Sequence, residues 1–331
     1  MDLYDRQRGP AASRPHRSRN ADASLSSDID AHTVQILTDF APPFQIDTPT
    51  HQSLPLVFCS PHSGRVYPKS FLAASNLSPM ALRRSEDSFV EEIFAGGPKA
   101  GAPLLHAHFP RAYLDPNREP YELDPAMFAE PLPPHVNTRS LRVAGGLGTI
   151  ARIVSEAVEI YAKPLSYAQA EARITTLYMP FHEALRGLLN QTHARFGFAM
   201  LIDCHSMPSV AGPSDDDLGL ERPDIILGDR YGSSCTPEMI GQAERIFTEL
   251  GYSVARNKPY AGGFNTEHYG QPGRHLHAFQ IEINRALYMD ETSFRRRKSL
   301  RQLTRDMTLF AEELGQIALD LLPGHLRNAA E

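Results

Sequence analysis

Three short stretches hold the residues best suited to chemistry, and all have the same form: an apolar run that breaks into polar residues. They are Leu54-Pro-Leu-Val-Phe-Cys-Ser-Pro-His-Ser-Gly64, Phe198-Ala-Met-Leu-Ile-Asp-Cys-His-Ser-Met-Pro-Ser209 and Ala278-Phe-Gln-Ile-Glu-Ile-Asn-Arg285. His62 and His205 each follow an apolar run and each precede a serine. Two imidazoles and a carboxylate, with one position left for water, are a common zinc arrangement. The candidate carboxylates are Glu86 and Asp87, in Arg84-Ser-Glu-Asp-Ser-Phe89. The same two acids would also suit the start of a helix, where they offset its partial positive charge, so both readings stay open. In the third stretch, alternation places Gln280, Glu282 and Asn284 on one face and Phe279, Ile281 and Ile283 on the other. An acid on a packed strand needs a partner, which a cleft, a metal site or a cation such as Arg285 would supply. Beside a metal it would be placed as a general base.

Arg111, Asn117, Arg118, Arg139, Arg142 and Arg285 fall in or beside expected loops. Guanidinium groups pair with carboxylates in bidentate fashion, so such a cluster points to an acidic substrate. Solvated surface charge is the default for Arg139 and Arg142. Other nucleophiles fit less well. Ser63 and Ser206 neighbour histidines in sequence, which is not triad geometry, and no Gly-x-Ser-x-Gly occurs. Cys59 and Cys204 sit inside apolar runs and read as buried, inert thiols. Gly145-Gly-Leu-Gly148 lacks the lysine and preceding strand of a phosphate loop and reads as a mobile loop. Gly262-Gly263 reads as a turn able to hinge a lid. His106 and His108 alternate along a strand and read as edge or loop residues.

Positioning these groups requires strands that end beside one another, which alternating strands and helices provide. Strands are predicted at Leu54 to Cys59, Pro103 to His108, Ala112 to Leu114, Ala199 to Ile202, Asp224 to Leu227, Tyr252 to Ala255 and Ala278 to Ile283. Helices are predicted at Ser78 to Arg84, at Ser88 to Phe94 with a Ser88/Glu91 capping box, and at Ser166 to Phe196 with a kink at Pro180. Two more are predicted at Thr236 to Leu250 and Ser299 to Leu322, and Thr149 to Val154 could open another. Residues 116–150 read as long loops over a site, and residues 31–53 as an irregular lead-in. The expected organisation is a disordered tail over residues 1–35, rich in Arg and Ser, and one catalytic domain over 36–325.

The chain has 331 residues, a formal charge of -6 and three cysteines without Cys-x-x-Cys spacing. The charge gives no reason to expect nucleic acid or an anionic membrane as partner. The cysteine usage fits a reducing cytoplasm. No apolar run reaches the length of a membrane span, and the first residues lack a signal-peptide core. Monomer and homo-oligomer are equally open.

Five stretches together resemble the N-formylglutamate amidohydrolase (deformylase) family. They are Ser60-Pro-His-Ser-Gly-Arg-Val-Tyr-Pro68, Ser85-Glu-Asp-Ser-Phe-Val-Glu-Glu-Ile-Phe94, Arg111-Ala-Tyr-Leu-Asp-Pro-Asn-Arg118, Ile202-Asp-Cys-His-Ser206 and Gln280-Ile-Glu-Ile-Asn-Arg-Ala-Leu-Tyr-Met-Asp290. They keep the family's order. The resemblance implies a zinc carboxypeptidase-like fold, a three-layer α/β/α sandwich around a mixed, largely eight-stranded sheet, with one Zn2+ per chain. It implies His62, Asp87 and His205 as ligands, with Glu86 as the alternative acid and Asp203 supporting the ligands. Glu282 would be the catalytic base, Arg111 would polarise the scissile carbonyl, and Asn117, Arg118 and Arg285 would bind substrate. The implied reaction is hydrolysis of a small acidic N-acyl amino acid, foremost N-formyl-L-glutamate to formate and L-glutamate. Asp87-Ser-Phe stands where histidine-pathway members carry Asp-Trp-His, so the substrate within N-acyl amino acids can differ. A related-fold deacylase or carboxypeptidase, a zinc-stabilised acidic-metabolite binding protein and a metal-free Cys or Ser amidase are the alternatives.

Overall fold

A computed structural model describes residues 31–154, 158–212 and 219–321. Seven of its strands form one mixed sheet: β1 (Phe44–Asp47), β2 (Leu56–Ser60), β3 (Leu104–Ala107), β4 (Ala199–Met207), β5 (Ile225–Gly228), β6 (Val254–Arg256) and β7 (Leu276–Asn284). Their order is β1-β3-β2-β4-β7-β5-β6. The four strands β3, β2, β4 and β7 run parallel. β1 is antiparallel to β3, and β5, paired in parallel with β6, is antiparallel to β7. The sheet thus has seven strands where the resemblance implies about eight. Met289–Asp290 and Arg295–Arg296 form a separate small ladder.

Period-two alternation gives each central strand two inward faces. Leu56, Phe58, Met200, Ile202, Cys204, Phe279, Ile281 and Ile283 pack in one core with the Pro237–Glu249 and Leu300–Leu321 helices. Val57, Cys59, Ala199, Leu201 and Ala278 pack in the other with Leu177, Phe181, Leu185 and Leu189 of the long helical run. Helices on both faces make the α/β/α sandwich. On the second face the apolar set stops halfway along β4 and β7. Asp203 and His205 follow Leu201, and Gln280 and Glu282 follow Ala278, all still buried. That half-face is where a site can form.

β4 does not stop at Ile202, as its polarity predicts. Its ladder with β7 continues to Met207↔Asn284, so cross-strand pairing outweighs local polarity. The Ser166 to Phe196 pattern divides into a helix at Tyr167–Arg173, a π turn at Ile174–Tyr178 and a helix at Met179–Phe196. Ser166 and Gln169 form its capping box. Three local expectations fail. Ala112 to Leu114 is a turn, Thr149 to Val154 opens no helix, and residues 31–53 contain a helix, Ala31–Asp39, besides β1. That helix buries only Ile36 and leaves Val34 and Leu37 about half exposed (50% and 48%), so no apolar stripe announces it. Residues 1–30 of the expected tail lie outside the described residues.

Candidate active site

The ends of β2, β4 and β7 meet, and the loops around them bring the remaining groups. His62 follows β2 by two residues, and its carbonyl accepts from the Asp87 N–H at 3.0 Å. Gly64 lets the chain turn away: a Cβ there would lie 2.1 Å from the Phe109 carbonyl oxygen. Asp87 Oδ2 lies 3.0 Å from His205 Nδ1 and 3.4 Å from His62 Nδ1. Ligand atoms of His62, Asp87 and His205 all fall within 4.8 Å of one another, and all three residues are buried. Each histidine turns its other nitrogen to a second carboxylate. His62 Nε2 lies 2.6 Å from Asp115 Oδ1, and His205 Nε2 lies 2.8 Å from Asp203 Oδ2.

This pattern fits a metal ion. His62 Nδ1 is a buried nitrogen with no hydrogen-bond partner among the described residues. Asp115 and Asp203 are placed to accept the Nε2 protons, leaving Nδ1 lone pairs directed toward Asp87, an arrangement that orients imidazole ligands. Nitrogen, nitrogen and oxygen donors suit zinc. Glu86 takes no part. Its carboxylate accepts from Tyr67 Oη at 2.8 Å, Arg83 Nε at 3.1 Å and Ser88 Oγ at 2.6 Å. Ser88 therefore does not cap a helix as the Ser88/Glu91 pair predicts. The helix shortens to Val90–Ile93 and is entered from Phe89 at φ 69, a conformation strained for a bulky residue.

Around this centre the carboxylates are held in a network. Asp115 Oδ2 accepts from Arg111 Nη2 at 2.7 Å, and Asp115 Oδ1 accepts from the Asn117 N–H at 2.8 Å. Burial would raise the Asp115 carboxyl, but the charges of Arg111 and Arg118 and the hydrogen bond from His62 hold it well below its usual range. Asn117 Nδ2 donates to Asp203 Oδ2 at 3.1 Å, and Asn117 Oδ1 accepts from the Asn265 N–H at 2.8 Å. Asn265 Nδ2 also reaches Asp203 Oδ1 at 3.1 Å. Asn117 lines the cleft, and its amide also holds Asp203 and the Asn265 backbone. Gly263 makes that possible, because a Cβ there would lie 2.5 Å from Asn117 Nδ2. Arg285 is likewise engaged. Its Nη2 donates to Glu86 O at 2.7 Å and Asp87 Oδ1 at 3.1 Å, and its Nε donates to Ser206 Oγ at 3.1 Å. Its geometry orients Asp87.

Glu282 stands beside His205 as its register partner on the adjacent strand. Gln280 Nε2 donates to Glu282 Oε1 at 2.8 Å, and Gln280 Oε1 accepts from the Gly263 N–H at 3.1 Å. Burial raises the Glu282 carboxyl to about 7. His205, Arg285 and Arg111 pull against that shift, and Asp87 adds to it. Such a group can exchange a proton near neutrality. All these residues face a cleft of about 430 Å³, a size suited to a small metabolite. Arg118 lines it while Nε donates to Leu147 O at 2.8 Å and Nη1 to Asn117 O at 2.7 Å. Arg142 lines it too, contrary to its default reading as solvated charge. Arg139 does not join the network. His106 on β3 pairs instead with Asp47 on the edge strand β1, at 3.3 Å. Burial pushes the Cys59 and Cys204 thiols up, so neither is an activated nucleophile. Asp115 is the main group that residue-type reasoning missed. The sequence signal was its place within Arg111-Ala-Tyr-Leu-Asp-Pro-Asn-Arg118.

A buried acid of raised pKa, a His–Asp–His centre and an arginine-lined cleft at the strand ends of an α/β sandwich define a hydrolase site. Residues 54–289 match the N-formylglutamate amidohydrolase family, and the chain belongs to that family of amidohydrolases. The chain is 29% identical over 258 residues to an N-formylglutamate deformylase of Pseudomonas aeruginosa, covering 76% of this chain and 89% of that one. A Pseudomonas putida N-formylglutamate deformylase is 27% identical over 259 residues, covering 77% and 90%. The crystal structure of an N-formylglutamate amidohydrolase from Ralstonia eutropha superposes with TM-score 0.78 at 35% identity, over 85% of this chain and 99% of that one. An Agrobacterium tumefaciens gene product, 18% identical with TM-score 0.59 over 84% and 95%, shares the fold. Among the described residues, no helix is long and apolar enough to cross a membrane.

Proposed function

We propose that this chain hydrolyses N-formyl-L-glutamate to formate and L-glutamate, with one zinc ion held by His62, Asp87 and His205. The observation that carries the metal assignment is the convergence of two Nδ1 atoms and Asp87 Oδ2, with Asp115 and Asp203 behind the two rings. The substrate rests on the deformylase relatives and on the cleft's charge. Five arginines line the cleft (Arg84, Arg111, Arg118, Arg142 and Arg285) against three carboxylates (Asp87, Asp115 and Glu282), which favours an anionic guest.

When bound, the ion supplies Lewis acidity that makes water a competent nucleophile near neutral pH. Glu282 accepts a proton from the attacking water as the new C–O bond forms at the formyl carbon. Gln280 fixes the Glu282 carboxylate for this transfer. Arg111, anchored to Asp115 through one nitrogen, faces the developing oxyanion with its remaining N–H groups. Glu282 then returns the proton to the leaving nitrogen as the C–N bond breaks, giving formate and the free amine. Arg118 meets a substrate carboxylate, while Asn117 and Arg285 position His205, Asp203 and Asp87. The test is metal content together with formate release from N-formyl-L-glutamate. Stoichiometric zinc with release is expected. Release that survives complete removal of zinc would sink the metal role, and zinc-loaded protein that frees no formate would sink the substrate.

A further inference from the structure

The cleft holds arginines that are already engaged and one that is not. Arg111 is bound to Asp115, Arg285 to Asp87, Ser206 and the Glu86 carbonyl, and Arg118 to two backbone carbonyls. Arg142 is partly buried in the same wall, and its side chain has no hydrogen bond or ion pair to any described residue. Its backbone, in contrast, is well fixed. Ser140 caps the short Leu141–Ala144 helix through the Val143 N–H. The Leu147 N–H donates to the Arg142 carbonyl at 2.8 Å, and the Leu147 carbonyl accepts from Arg118 Nε at 2.8 Å. One short loop therefore ties the positions of Arg142 and Arg118 together. Thr149 extends the brace: its N–H donates to the Glu122 carbonyl, and its carbonyl accepts from the Asp115 N–H, both at 2.8 Å. A Cβ at Gly148 would lie 2.2 Å from the Glu122 oxygen, so the loop is seated closely. The glycine loop, expected to be mobile, is instead braced by this bonding.

Two guanidinium groups facing one cleft repel each other: burial depresses Arg118, and the charges of Arg111 and Arg142 add to that. An anion between or beside them removes that repulsion. We infer that Arg142 recognises the side-chain carboxylate of the N-acyl amino acid, beside Arg118, and so selects acidic over neutral substrates. This deepens the proposed function and rests on it for the reaction. Arg142 is a specificity residue on this account: it touches the substrate away from the scissile bond, so its loss weakens binding without slowing the chemistry.

The experiment compares the zinc-loaded wild type with Arg142→Met and Arg142→Lys on N-formyl-L-glutamate and N-formyl-L-glutamine, which share a shape and differ in side-chain charge. Arg142→Met is expected to raise KM for the glutamate substrate by about 10- to 100-fold, the range for a lost charge-assisted bond, with kcat within about threefold. The glutamine substrate should change by less than about threefold, and Arg142→Lys should recover part of the loss. Calorimetric titration with L-glutamate and L-glutamine repeats the comparison without turnover. Equal losses for both side chains, no loss for either, or the selective loss appearing in Arg84→Met instead would overturn the assignment. A wild type that binds glutamate no better than glutamine would overturn it as well. If the wild type released no formate, the reaction would fall, while a glutamate-selective calorimetric loss in Arg142→Met would still uphold the residue's role.

Discussion

Glu282 places a measurable load on the ion-free protein. The residue is 8% exposed, and burial raises its carboxyl from 4.5 to about 7. The folded chain therefore keeps a proton that the unfolded chain releases between those two values. By linkage, the stability of the folded state is full below pH 4.5, falls as pH rises toward 7, and then levels off. A shift of 7 − 4.5 = 2.5 pH units corresponds to about 3 kcal/mol at about 1.4 kcal/mol per unit. Glu282→Gln is neutral throughout, and its amide oxygen can still accept from Gln280. Relative to the wild type, chelator-treated Glu282→Gln should thus gain about 3 kcal/mol between pH 4.5 and pH 8. Urea unfolding at the two pH values reads the difference directly. Restoring zinc should shrink it, because a nearby divalent cation favours the carboxylate. A stability difference that is the same at both pH values would refute the burial of an uncompensated acid, and with it the poise of Glu282 for proton transfer.

Three further outcomes follow from the hydrogen-bond pattern. Asp87→Ala should abolish stoichiometric zinc in metal analysis. Glu86→Gln should keep the zinc and lose about 1–3 kcal/mol of stability, as expected when a buried acceptor of several hydrogen bonds is weakened. Asp115→Asn should keep the fold by circular dichroism yet bind zinc about 10- to 100-fold more weakly in chelator competition, the usual cost of losing a carboxylate behind a ligating imidazole.

The sandwich was legible because β2, β4 and β7 are apolar enough to read as buried strands, and because their polar ends are the site. Alternation in Phe279-Gln-Ile-Glu-Ile-Asn284 assigned the two faces of β7 as the structure has them. Local signals failed where several partners compete for one side chain. Nothing near Ser88 shows that its hydroxyl goes to Glu86 rather than to a helix N-terminus. Nothing near His62 names Asp115, 53 positions away, as its partner. Nothing near Asn117 shows that its amide bonds Asp203 and the Asn265 backbone, 86 and 148 positions away. Residue type reveals what a side chain can bond. Only the packed chain decides which of several possible partners arrives first.

The pairing of His205 with Glu282 across β4 and β7 acts as a ruler. Neighbouring strands keep a spacing of about 4.8 Å, and neither residue sits on a segment that can drift independently of the ladder. Arg142, Arg118 and the Pro259–Gly263 wall hang on connections outside it. The proton-transfer pair is therefore set by the ladder, and the arginines that face the guest are set by loops.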